Sequence, residues 1–120
     1  MHADDDAAEA NGVVLAVGHC TRFHAVHRKA KELLDSGAIG RPVSAKVHAS
    51  FWYPPEENIC RKDYFMAGGG PVYDMASHAI DFLRYMLGEV SDVAAFVDHV
   101  IFDYEAEDTS TLVLQPHLSR

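Results

Sequence analysis

The stretch Val72-Tyr73-Asp74-Met75-Ala76-Ser77-His78-Ala79-Ile80-Asp81-Phe82-Leu83-Arg84-Tyr85-Met86-Leu87-Gly88 decides the reading of this chain. At about 100° per residue, Met75, Ala76, Ala79, Ile80, Phe82, Leu83, Met86 and Leu87 gather on one broad apolar face. That pattern predicts an amphipathic helix over 72–87, stopped by Gly88. Against the apolar face stands a narrow polar stripe, Asp74, His78, Asp81 and Tyr85, at i, i+4, i+7 and i+11.

The stripe has a chemical use. A carboxylate that accepts one imidazole N–H fixes the tautomer and leaves the other ring nitrogen free to exchange a proton with a hydroxyl. The same residues also fit a plain helix start, with Asp74 capping the N-terminus and His78 solvated. The wheel alone leaves both readings standing. Gly68-Gly69-Gly70, just upstream, supplies backbone that can adopt positive φ and approach a ligand closely, or simply a tight turn. Neither G-x-G-x-x-G nor the phosphate-cradling Walker pattern occurs.

Moving outward, Val13-Val14-Leu15-Ala16-Val17 is a continuous β-branched run that predicts a strand buried on both faces. Phe23, Val26, Ala30, Leu33 and Leu34 recur at helical spacing up to Gly37, predicting a surface helix over 23–36. After Gly40-Arg41-Pro42, alternation from Val43 to Tyr53 predicts a long strand with one apolar face. Residues 54–70 read as a loop, and 93–104 and 109–115 as paired strands. The order β, α, β, α, β, β predicts an α+β fold: a mostly antiparallel sheet with two flanking helices. The acidic, Ala-rich residues 1–12 read as a disordered tail. Residues 13–22 read as the remnant last strand of a Rossmann-type sheet, and 23–120 as a partial substrate-binding and oligomerisation domain.

Composition narrows the class of partner. Ten Lys and Arg against eighteen Asp and Glu give a formal net charge of −8, a field that repels nucleic acid and anionic membrane surfaces. Cys20 and Cys60 are too few and too far apart for a zinc module, and His24 and His27 find no third ligand at a metal-binding spacing, so no metal is expected. With no signal-peptide pattern and no apolar run of membrane-spanning length, a cytoplasmic location is the expectation. The unpaired strand edges expected here invite a second copy.

In order, Arg61-Lys62-Asp63, Gly68-Gly69-Gly70, Asp74, His78 and Asp81 read R-x-D...G-G-G-x-x-x-D-x-x-x-H-x-x-D, ahead of the helix end Tyr85-Met86-Leu87-Gly88. This resembles the Gfo/Idh/MocA oxidoreductases, the family of glucose-fructose oxidoreductase and inositol dehydrogenase. Val13 to His19 with Arg22-Phe23, the Leu33 to Gly40 junction and Glu107-Asp108-Thr109 are similar to the same family, so the likeness runs from Val13 to Gln115. It implies an NAD- or NADP-dependent enzyme in which a sugar, cyclitol or related polyol passes hydride to the nicotinamide. Asp74 and His78 match the family's catalytic pair, with the histidine as proton acceptor or donor. The resemblance further implies Arg61, Asp81 and Tyr85 on the substrate and Arg22, Gly69 and Gly70 on the cofactor side, with a homo-oligomer formed through the sheet.

Departures from the family pattern set the remaining expectations. Its Gly-rich cofactor fingerprint and Glu-Lys-Pro motif are not found, and Cys60 stands where a tryptophan often precedes the arginine. The chain therefore reads as a truncated substrate domain that binds no cofactor and turns over no polyol alone. The alternative is a non-catalytic binding or oligomerisation module derived from the family.

Overall fold

A computed structural model describes residues 2–52 and 59–117. The first element, α1 (His2–Ala10), corrects the expectation of a disordered tail. Alanine is the best helix former, and Asp4 and Asp5 occupy the first turn, where the helix dipole favours carboxylates. Local propensity alone accounts for it. Gly12, at φ 61°, then ends the helix.

The expected strand at Val13–Val17 has no regular secondary structure and joins no ladder among the described residues, and Val14 is 93% exposed. A doubly buried strand needs neighbours on both edges and both faces, and among the described residues none lies beside it. The same correction holds for 43–52, which joins no ladder among the described residues, with Val43 97% exposed. Tyr53 and 54–58, the end of that strand and the start of the predicted loop, lie outside the described residues.

The helices follow the sequence more closely. A 3₁₀ turn, Cys20–Phe23, leads through the N-cap His24, whose Nδ1 accepts from the Val26 amide at 3.3 Å, into α2 (Ala25–Asp35). Within the stretch read as a loop, α3 (Ile59–Lys62) and α4 (Tyr64–Ala67) form, because Asp63 caps α4 by accepting from the Met66 amide at 3.0 Å. The 72–87 helix is present in two parts: a π-helical turn, Val72–Ala76, and then α5 (Ser77–Leu87). Gly88, at φ 94°, closes it by donating to the Arg84 carbonyl at 2.9 Å. Both α2 and α5 pack on the Cys20–Phe23 turn.

The sheet among the described residues has two antiparallel strands, β1 (Val90–Asp98) and β2 (Thr109–Pro116). Val93, Ala95 and Val97 face Leu114, Leu112 and Ser110 across the ladder, with a bulge between Val90 and Asp92. These elements make the fold α+β with an antiparallel sheet.

The first strand was expected to run on to Tyr104, and it stops at Asp98 for an electrostatic reason. The Asp108 carboxylate accepts from the amides of Val100, Ile101 and Phe102 at 2.7–3.1 Å and from the Thr109 hydroxyl at 2.7 Å, so those amides cannot join a ladder. Burial pushes the Asp108 carboxyl up, but the hydrogen bonds from Val100, Phe102, Ile101 and Thr109 outweigh it and hold the group well below the usual carboxylate range.

Little apolar surface is covered. Ala106 is the one fully buried apolar side chain among the described residues. The accessible surface is 9477 Å² for 13.2 kDa, against about 6,400 Å² for a folded monomer of that mass. The radius of gyration is 17.2 Å, where about 14 Å is usual for this length. No helix among the described residues is long and apolar enough to cross a membrane.

Asp108→Ala should lower stability by about 2 kcal/mol through loss of charge-assisted hydrogen bonds. Hydrogen exchange at the Val100, Ile101 and Phe102 amides should show the loss first. Because the folded carboxyl is depressed, its contribution is present above the ordinary carboxylate value and fades as pH falls below about 4. Equal acid sensitivity of the wild type and Asp108→Asn would contradict this.

Candidate active site

Glycine at 69 and 70 shapes the approach to the 72–87 helix. A Cβ on Gly70 would run into the carbonyl of Glu107, and one on Gly69, at φ 150°, would meet the Tyr73 ring at 2.6 Å. This close approach lets the Glu107 carboxylate accept from the Val72 amide at 3.3 Å, tying the start of the helix to the loop before β2. The result is a concavity of about 600 Å³, walled in part by Gly69, Gly70, Tyr73, Asp74, Phe102 and Tyr104. Its mixed polar and aromatic wall has the size of a small-molecule site.

Asp74 lies on that wall, within the π-helical turn. A π turn winds more residues per turn than an α-helix, so residues ahead of Ser77 are rotated from their places on an unbroken wheel. The polar stripe divides there. His78 sits just beyond the concavity's lining, and its ring packs edge-on against His19, centroids 5.3 Å apart at 85°. The Nδ1 of His78 is buried and has no hydrogen-bond partner, so the expected carboxylate–imidazole bond is not made at that nitrogen.

The other stripe residues turn to the same N-terminal segment. Asp81 forms a two-oxygen ion pair with Arg22, whose Nε donates to Oδ2 at 2.9 Å while Nη2 bonds Oδ1. That hydrogen bond, opposed by desolvation and supported by the Asp81 charge, raises the Arg22 guanidinium above its ordinary value. The Asp81 Oδ1 also lies 3.8 Å from the His19 Nδ1. The Arg22 guanidinium stacks over Tyr85 at 5.3 Å from the ring centroid.

Of the residues singled out from sequence, Asp74, Gly69 and Gly70 therefore share the concavity, while His78, Asp81, Tyr85 and Arg22 form a second cluster around His19. The Arg61 side chain lies outside the described residues. Cys60 lines the concavity where the family often carries tryptophan. Among the described residues, no three of His, Cys, Asp and Glu converge as a metal ion would require. Sequence reasoning missed His19 and Glu107. His19 was read as the end of a strand, and Glu107 was noted without a role, because only the fold brings residues 19 and 78, or 70 and 107, together.

Comparison with known proteins agrees with the fold and with the family resemblance. A family model for the GFO/IDH/MocA C-terminal domain matches residues 27–116. The 1,5-anhydro-D-fructose reductase of Ensifer adhaerens is 36% identical over 93 residues, 78% of this chain and 28% of the relative. The myo-inositol 2-dehydrogenase of Thermotoga maritima is 32% identical over 108 residues, 86% of this chain and 31% of the relative. An oxidoreductase from Agrobacterium radiobacter, solved with NAD+, L-tartaric acid and magnesium, shares the fold at a TM-score of 0.70 and 22% identity, over 97% of this chain and 33% of its own. The chain belongs to the GFO/IDH/MocA family and corresponds to its C-terminal domain. It spans about a third of the length of these relatives.

Gly70→Ala should force the Glu107 backbone away from the helix start, costing about 1–3 kcal/mol as overpacking does. Chemical unfolding would measure the loss. A Gly70→Ala protein as stable as the wild type would show that the close approach is dispensable.

Proposed function

We propose that this chain carries the polyol-facing part of an NAD(P)-dependent oxidoreductase site. The observation behind the reading is Asp74 on the wall of a 600 Å³ concavity, one turn ahead of a histidine with a buried, unpartnered ring nitrogen. A carboxylate accepts hydrogen bonds from vicinal hydroxyls, and aromatic walls such as Phe102 and Tyr104 suit the C–H faces of a sugar or cyclitol ring. The relatives named for 1,5-anhydro-D-fructose and myo-inositol favour that substrate class.

Arg22 bonds Asp81, and Gly69 and Gly70 approach Tyr73 and Glu107, so the residues expected on the cofactor side make contacts within this chain. Oxidation requires the hydride acceptor that the cofactor supplies. The chain by itself therefore orients a polyol and does not oxidise it, in a cytoplasmic setting.

Titrating the ¹⁵N-labelled chain with myo-inositol should shift amides around Asp74 and Gly69, and Asp74→Ala should remove those shifts. Shifts scattered over the surface, or none, would count against the site. Mixing the pure chain with NAD+ or NADP+ and myo-inositol should give no reduced cofactor; its appearance, and loss with His78→Ala, would show a complete site.

A second reading is favoured by the exposed apolar surface, which includes Phe96, Val97 and Val113 on the sheet. Here the chain is an assembly module whose copies associate through the sheet edges or face. Light scattering after size exclusion should then give a discrete multiple of 13.2 kDa. A monomer would remove this reading.

A further inference from the structure

We infer that His19 is a positioning residue for His78, and that it holds the neutral His78 ring with a bare lone pair on the buried Nδ1 and the proton on Nε2. The inference deepens the polyol-site reading by assigning what His78 offers a ligand, and it rests on that reading only for the ligand.

Three observations carry it. The two rings meet edge-on, 5.3 Å between centroids, a geometry that restricts rotation of either ring about its Cβ–Cγ bond. Asp81 lies 3.8 Å from the His19 Nδ1 and is itself fixed by the two-oxygen bond to Arg22. Finally, the Nδ1 of His78 is buried with no hydrogen-bond partner, although the residue as a whole is only partly buried. A neutral imidazole has one N–H and one lone pair to distribute. Burying a bare lone pair is tolerated more readily than burying an N–H without an acceptor, so the proton belongs on Nε2.

The chemical consequence is directional. With the proton on Nε2, neutral His78 donates a hydrogen bond to a ligand oxygen, and the oxygen best suited to receive it is a carbonyl, the keto form of a polyol. Accepting a proton from a hydroxyl at Nε2 would require the opposite tautomer, with a buried N–H on Nδ1 that has no hydrogen-bond acceptor.

The tautomer is read directly by long-range ¹H–¹⁵N correlation spectra of the chain at about pH 8.5, above the ordinary histidine range. His78 is expected to show one tautomer, with a protonated-type shift at Nε2 and an unprotonated-type shift at Nδ1. In His19→Ala the ring is released and the two shifts should move toward averaged values, whereas His19→Phe, which keeps an aromatic edge, should restore the single tautomer. A protonated Nδ1 in the wild type overturns the inference, as does a His19→Ala spectrum identical to wild type or a His19→Phe spectrum as averaged as that of His19→Ala. If His19→Ala does not fold, the wild-type spectrum still decides the tautomer and His19→Phe against His19→Gln tests the ring contact. No ligand enters this measurement. A chain with the expected tautomer that binds no myo-inositol keeps the inference and loses the functional reading.

Discussion

The contact on which the helical part depends is the ion pair between Arg22 and Asp81, residues far apart in sequence and joined through two carboxylate oxygens. It pins the Cys20–Phe23 turn to α5, and α2 leaves that same turn through the His24 cap. His27, on α2, sets its ring 4.6 Å from that of Phe82 on α5, so packing reinforces the ion pair. An arginine bonded in this planar, two-pronged manner is not replaced by lysine, whose point charge offers one direction at a time. Its guanidinium also lies over the Tyr85 ring, 5.3 Å from the centroid.

A second junction joins the helices to the sheet and is built from backbone. Gly70 lets the Glu107 carbonyl come closer than any side chain would allow, and Glu107 and Asp108 then divide the work between them. Glu107 takes the Val72 amide, while Asp108 gathers the amides of 100–102 into a turn around its carboxylate. The concavity with Asp74 on its wall lies at this second junction, lined by Gly69, Gly70, Glu107 and Asp108 together with Tyr73 and Phe102.

Around these junctions the chain leaves an unusual amount of apolar surface in water. Residues 13–17 and 43–52 have the composition of strands, and among the described residues they join no ladder. A strand is stabilised by cross-strand hydrogen bonds and by side chains on the neighbouring strand, so composition by itself cannot complete one. The chain covers about a third of the length of its relatives, and its exposed surface is that of one part of their fold.

The sequence by itself determined what depends on near neighbours. The amphipathic period of 72–87 and the stop at Gly88, the α2 helix, the pairing of the last two strands and the family resemblance were all legible, because each rests on patterns along the chain. The helix at 2–10 was missed although its alanines favour it, since acidic composition was weighed above propensity. Only the tertiary structure decided where the polar stripe points. A π-helical turn breaks the wheel between Asp74 and His78, Arg22 claims Asp81, and His19 meets His78 across the fold. Those choices depend on which residues the fold brings within a few ångströms, and spacing along the chain carries no information about that distance.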